Sequence, residues 1–433
     1  VGPARSFGQT IDVHPDLARR VAHPSNTAPP RGFAGRPARA WDRWGLRLMH
    51  HSLADPALRL ALWDGTARGP DEAEASYGLT IHDRATLVRL LVDRELAIGD
   101  SYTAARLTVD GDLVEIIRRQ FDLRPRGETW LDRARQALRR SNTLVRARDN
   151  IHHHYDIGND FYRLWLDRDL VYTCAYFPRP DASLEEAQTA KLDLVCRKLR
   201  LKPGDEVIEA GCGWGALARY MAGHYGVKVR AFNISSEQIA YARRRAQEEG
   251  LSDRVTFVED DYRNITGRCD AFVSVGMLEH VGLDQYASFA RVIERTLAPG
   301  HGRGLLHFIG RNYPAALHPW VERRIFPGAY PPTLAEVSTR ILEPLNLSIV
   351  DIENLRLHYA RTLRHWLERY DAAADRVAAM FDESFARAWR LYLAGSVAGF
   401  EAGTMQLFQI TFARAADNDI PWTRAYLYGS GSL

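Results

Sequence analysis

Between Val207 and Gly310 the chain repeats a pattern that few folds satisfy. Apolar strand candidates, EVIEAG, VKVRAFNIS, RVTFVEDD, DAFVSVG and RGLLHFIG, alternate with segments of helical spacing such as GALARYMAGHYG and SEQIAYARRRAQEEG. Apolar strands separated by crossover helices are characteristic of a parallel sheet covered on both faces, so the pattern predicts a doubly wound α/β unit. Two later segments, LSIVDIENL and MQLFQITFAR, fit strands that complete the sheet at one edge. Helical stretches around 313–345 and 361–400 are longer than the connections such a sheet needs, which assigns them to a cap over its active end.

A length of 433 residues exceeds one ordinary domain. Residues 1–38, rich in Pro, Gly, Ala and Arg without periodicity, read as a flexible leader, and the closing GSGSL also reads as flexible. Residues 39–125 read as a small α+β unit. In it Leu58, Leu60 and Leu62 alternate as a half-buried strand, and LTIHDRATLVRLLVD passes from strand to helix at Asp83. Residues 126–150 read as a basic helical connector carrying Arg133, Arg135, Arg139, Arg140, Arg146 and Arg148. Such a run is either a solvated face or a surface for anionic lipid headgroups. Residues 151–433 form the remaining unit, which holds the doubly wound sheet and its helical cap.

A net charge of +3 supplies no global field for nucleic acid, so no nucleic-acid partner is expected. No apolar run is long enough to span a bilayer, and the first residues lack the layout of a signal peptide, which makes the cytoplasm the expected address. The four cysteines, Cys174, Cys196, Cys212 and Cys269, form no C-x-x-C pair, so neither a zinc site nor a disulfide framework is expected. The adjacent His152, His153 and His154 lack a distant companion ligand, and no metal is assigned to them.

The stretch VIEAGCGWGALARYM raises the question of the ligand. Ligands of open parallel sheets bind outside the carboxyl ends of the strands, where this loop falls. Gly211, Gly213 and Gly215 allow tight turning and close backbone approach. The spacing is G-x-G-x-G, whereas a dinucleotide fingerprint wants G-x-G-x-x-G, and a P-loop needs a Lys and Ser or Thr that are absent. An acid, here Glu209, before G-x-G-x-G resembles motif I of class I S-adenosylmethionine (SAM) methyltransferases. Many of these bind the ribose with an acid ending the second strand; here that strand offers Asn233, Ser235 and Gln238.

With that departure a narrower resemblance appears. HHHYDIGNDFYRLWLDRDLVYTCAYF, GCGWGALARYM, NISSEQIAYA, DDYRN, SVGMLEHVG, FPGAYPP and HYARTLRHWLERY occur in this order. Together they resemble the cyclopropane-fatty-acyl-phospholipid synthases and the related mycolic acid cyclopropane synthases, over about 150–415. The N-terminal unit, with LLVDRELAIGDSY, resembles the extra domain of the phospholipid-acting members. The resemblance implies a Rossmann-like SAM-methyltransferase fold, and methylene transfer to a cis double bond of an unsaturated phospholipid at the inner membrane surface, with bicarbonate as the base. A homodimer is compatible with it.

It also implies a site. Cys174, Glu279, His307, the backbone of Ile309, and Tyr359 fall on the bicarbonate-binding positions. Tyr172, Thr173, Gly211, Gly213 and Gln238 fall on the SAM positions, with Asn233 beside them. The adenine end is expected near Asp260, Asp261 and Tyr262. Each polar residue has an ordinary alternative as core filler, cap or satisfied histidine; their joint presence in separate matched motifs favours function. Tyr176, Phe177, Trp320, Phe326 and Tyr330 are candidates to border the acyl channel. Phe408 stands where many members carry Tyr, and relatives with nearly the same set make methyl-branched or methylene products. A fatty acyl C-methyltransferase is therefore the alternative enzyme, and an idle lipid-binding homologue the alternative of another class.

Overall fold

A computed structural model describes residues 37–53, 55–123 and 157–428. Two sheets organise them. The smaller has the order β2-β1-β3-β4, from β1 (Leu58–Leu62), β2 (Ala67–Arg68), β3 (Tyr77–Ile81) and β4 (Leu107–Asp110). The alternation expected of β1 is present: Leu58, Leu60 and Leu62 are buried together with Leu79 and Ile81 of the parallel neighbour β3. Asp83 caps the Arg84–Val92 helix by accepting the Thr86 N–H at 2.7 Å. A further helix, Arg94–Thr103, follows at once, because Asp93 ends one helix and caps the next.

The larger sheet contains β5 (Glu206–Ala210), β6 (Lys228–Asn233), β7 (Val255–Glu259), β8 (Ala271–Val275), β9 (Arg303–Gly310), β10 (Leu347–Asn354) and β11 (Gln406–Arg414), in the order β10-β11-β9-β8-β5-β6-β7. The five strands expected from the apolar alternation run parallel, and β11 and β10 add antiparallel at one edge. The chain winds outward from β5 through β6 to β7, then returns to β8 and continues the other way. The switch point therefore lies between the carboxyl ends of β5 and β8, where a ligand crevice belongs.

The 313–345 stretch is less helical than its length suggests. It is broken into the short helix Pro319–Arg324 and a second piece in which Leu334–Val337 runs on into a π-helical segment, Ser338–Leu342, and a 3-10 turn, Glu343–Leu345, because Pro327, Pro331 and Pro332 remove backbone donors between the two pieces. The second stretch forms Arg356–Ala372, Ala374–Met380 and Glu383–Glu401, packed through fully buried Phe161, Trp165, Trp366, Phe385 and Trp389. One helix that the spacing arguments above do not identify, Leu184–Lys198, begins at a reciprocal Ser183–Glu186 capping box. Among the described residues no helix is long and apolar enough to cross a membrane.

Candidate active site

The β5–β8 switch point opens a cleft whose floor is the glycine loop. Gly211, Gly213 and Gly215 have φ of 84°, 51° and 78°, a region that residues with side chains rarely enter. A Cβ on Gly215 would meet Phe257 at 2.6 Å, and one on Gly211 would meet Met277 at 2.9 Å. A Cβ on Gly213 would meet nothing within 4 Å, so this backbone fronts the open cleft.

Tyr172, Thr173, Gly211, Gly213, Asn233 and Gln238, the expected cofactor residues, all line this cleft. Asn233 Nδ2 donates to Gln238 Oε1 at 2.6 Å, and the buried Gln238 Nε2 has no hydrogen-bond partner among the described residues. Glu209 Oε2 is likewise buried without a partner, and burial pushes its carboxyl up to about 8. Bare polar atoms around an exposed glycine backbone fit a polar ligand with a cationic amino-acid end, such as SAM.

Asp260, Asp261 and Tyr262 are not among the cleft-lining residues. Asp260 Oδ1 accepts from the Asp261 N–H at 2.7 Å and from Asn264 Nδ2 at 2.8 Å. Asp261 caps the following turn through the Arg263 N–H at 2.9 Å, and the Tyr262 ring packs 5.5 Å from Phe289. They adjoin the cleft through the Asp260 N–H, which donates to the Asn233 carbonyl at 3.0 Å.

Two residues of the Leu184–Lys198 helix that hold the cleft's Tyr172–Thr173 loop were not anticipated, Lys191 in the cleft wall and Gln188 behind it. Lys191, 1% exposed, donates to Thr173 Oγ1 at 2.9 Å; burial pulls its ammonium down to about 8. Gln188, one turn earlier, donates to the carbonyls of Thr173 at 2.9 Å and Val171 at 3.2 Å. Together they clamp the loop that carries Tyr172 and Thr173. The S-x-x-E capping box and the i, i+3 spacing of Gln188 and Lys191 were the available signals.

The second group sits on and beside β9. Glu279 belongs to the short Leu278–Val281 helix after β8, and its Oε1 accepts the Ile309 N–H at 3.2 Å. Its Oε2 is buried with no partner among the described residues, and burial pushes the carboxyl up to about 7. His307 precedes Ile309 by two residues and so shares its face of the strand. Its Nδ1 lies 3.0 Å from Gln409 Nε2, its Nε2 is buried without a partner, and burial holds the imidazole well below its ordinary pKa.

Cys174 is fully buried, with Sγ 3.1 Å from the Ala175 carbonyl and 3.9 Å from that of Leu355; burial raises its pKa, so it is a thiol. Tyr359 donates its N–H to the same Leu355 carbonyl at 3.0 Å, and its ring lies 4.6 Å from Phe400. Leu355 in turn donates to the carbonyl of Leu407, which pairs with Ile309. Glu279 and Ile309 thus touch directly, whereas Cys174 and Tyr359 join them through Leu355 and the β11–β9 ladder. Glu279 Oε2 and His307 Nε2 are each bare polar atoms of the kind that a small anion able both to donate and to accept, as bicarbonate is, would engage.

The candidate channel aromatics divide. The Tyr330 N–H donates to the Glu279 carbonyl at 2.8 Å, and Phe326 lies 5.4 Å from His280. Tyr176 and Phe177 instead stack on His358 and His365, and Trp320 packs against Gly99. The three adjacent histidines at 152–154 and the arginines at 133–148 lie outside the described residues.

Comparison with known proteins gives the same assignment by an independent route. The profile of the family described as mycolic acid cyclopropane synthetase matches residues 142–410. A probable fatty acid methyltransferase of Pseudomonas putida is 39% identical over 383 residues, covering 86% of this chain and 96% of that protein. The cyclopropane-fatty-acyl-phospholipid synthase of Escherichia coli K12 is 40% identical over 268 residues, covering 62% of this chain and 68% of that protein. Among solved structures, mycolic acid cyclopropane synthase CmaA1 complexed with SAH and CTAB aligns with a TM-score of 0.58 at 29% identity, covering 62% of this chain and 98% of that one. Sequence and fold agree that the chain belongs to the mycolic acid cyclopropane synthetase family and is a SAM-dependent methyltransferase of the cyclopropane-synthase type.

Proposed function

We propose that the enzyme transfers a methyl group from SAM to a cis double bond in an unsaturated phospholipid acyl chain and closes a cyclopropane ring, with bicarbonate as the base. The observation that carries this reading is Glu279, a buried carboxyl with one oxygen held by the Ile309 amide and the other bare. An alkene has no proton to lose before attack, so no nucleophile-activating dyad is needed. The new carbon–carbon bond leaves a carbocation on the acyl chain, and loss of a proton from the added methyl supplies the electrons that close the ring. Bound SAM supplies the methyl group, and bound bicarbonate takes up that proton. Glu279, His307, Cys174, Tyr359 and the Ile309 amide orient the anion, while the surrounding aromatic core excludes water that would capture the cation. Asp260, Asp261 and Tyr262 serve the adenine end from beside the cleft.

On this reading the substrate lies in the inner face of a membrane, and residues 39–125 meet it. The Ala40–Leu53 helix supports this by exposing Trp41, Trp44 and Leu48 to 50%, 57% and 46%, beside exposed Arg43 and Arg47. Indoles interleaved with arginines suit the headgroup layer of an anionic bilayer. The arginines of residues 126–150 would meet the same anionic headgroups.

The P. putida relative, matched over nearly its whole length, favours one second reading, a C-methyltransferase giving a methyl-branched or methylene chain. Incubation with labelled SAM and unsaturated phospholipid vesicles, followed by NMR of the isolated acyl chain, separates the two. Cyclopropane protons support the ring; vinylic methylene or methyl signals support the second reading. SAM binding without transfer to any acyl chain would leave an idle homologue.

A further inference from the structure

A buried polar chain links the end of the Leu184–Lys198 helix to His307. Lys198, 4% exposed, places Nζ 2.7 Å from Gln409 Oε1 and 2.5 Å from Glu353 Oε2. Gln409, fully buried on β11, pairs in register with His307 on β9, its Nε2 3.0 Å from the imidazole Nδ1. Beyond it lies the bare His307 Nε2.

Every link in this chain has a direction. An ammonium only donates, so the Gln409 oxygen must face Lys198 and its amide hydrogens must face His307. The Nδ1 that meets those hydrogens must be an acceptor, which leaves the single proton of a neutral imidazole on Nε2. An imidazolium would set one donor against another. Burial, with the charges of Lys191 and Lys198, also disfavours that form.

We propose that Lys198 and Gln409 are positioning residues that hold His307 in its Nε2–H tautomer, presenting a fixed donor to the pocket beside Glu279. The role of that donor rests on the proposed function, because the ligand it would serve is the bicarbonate oxyanion. A donor from His307 and a carboxyl from Glu279 then match the two ends of one small anion.

The test is 15N spectroscopy of the full chain labelled at histidine, with the His307 signals assigned by their loss in His307→Gln. The parent at pH 7 should show a protonated Nε2 and a bare Nδ1. Gln409→Glu presents only oxygen to Nδ1 and should draw the proton there. Its kcat should fall at least ~10-fold, as when a tautomer-setting partner is lost, while SAM affinity by calorimetry stays within about twofold. Gln409→Met removes the constraint and should give mixed tautomers, which keeps the test available should the Glu variant fail to fold. A parent His307 that is protonated at Nδ1, or variants whose tautomer matches the parent, would overturn the proposal. Bicarbonate added to the parent should shift the Nε2 signal. The expected tautomer with no such shift would uphold the relay and count against bicarbonate at this site.

Discussion

Glu279 Oε1 accepts the Ile309 backbone N–H at 3.2 Å, and this bond ties the helix after β8 to the carboxyl end of β9. Glu279→Gln can keep that bond but cannot hold the same proton. Its kcat should fall ~100-fold or more, the scale of a lost general base. SAM affinity should change by less than about threefold, under ~1 kcal/mol. Added bicarbonate should raise the rate of stripped parent enzyme and do little for the variant. Full activity of stripped parent would remove bicarbonate from the scheme.

The same carboxyl sets a pH dependence of stability. Burial raises it to about 7 from an ordinary 4.5, so between those values the folded chain keeps a proton that the unfolded chain has released. Stability from this group is therefore lost as pH rises through that window, by about 3 kcal/mol in all. In carbonate-free urea titrations Glu279→Gln should match the parent near pH 4 and exceed its stability at pH 8. Parallel curves at both pH values would contradict the burial of a titrating carboxyl.

Gly213 tests the cofactor cleft. Its φ of 51° disfavours any side chain, and a Cβ there points into open cleft. Gly213→Val should abolish measurable SAM binding, because the side chain fills the cleft while the strained backbone adds roughly 1 kcal/mol. Calorimetry beside a melting curve separates lost binding from lost folding; unchanged affinity would refute the assignment.

Lys191 and Thr173 should behave as one unit. The ammonium can only donate to Thr173 Oγ1, which leaves the hydroxyl proton available to the cleft, where the carboxylate of SAM would accept it. Lys191→Met and Thr173→Val should each weaken SAM binding ~10-fold, about 1.4 kcal/mol. The double variant should lose clearly less than the sum. Additive losses would show that the two act separately.

The exposed indoles offer a test of lipid docking. Trp41→Ser with Trp44→Ser should weaken binding to anionic phospholipid vesicles ~10-fold or more, given the apolar area each would bury. Activity on detergent-dispersed lipid should be largely retained. Equal vesicle binding by parent and variant would move the contact elsewhere, for instance to Arg133, Arg135, Arg139 and Arg140.

The five parallel strands were legible because each carries a short cluster of Val, Ile, Leu, Phe or Ala bounded by turn residues and separated by segments of helical spacing, so local pattern and global position agree. The direct Glu279–Ile309 bond was not: the residues lie 30 apart, and only the resemblance grouped them. Lys191 and Lys198 were missed for a physical reason. In LEEAQTAKLDLVCRK, a segment without an assigned element, nothing local marks a lysine for burial. The partners of Lys198, Glu353 and Gln409, lie 155 and 211 residues away.

Those two lysines stand seven residues apart on one rigid rod, a separation of about 10.5 Å along the axis. One reaches the hydroxyl at the cofactor end, the other the amide behind His307. The Leu184–Lys198 helix thus sets the spacing between the glycine-loop cleft and the polar chain that ends at His307. A single residue inserted between Lys191 and Lys198 would swing one of them about 100° off its target. The exposed side chains of this helix can vary widely, but its length between the lysines cannot.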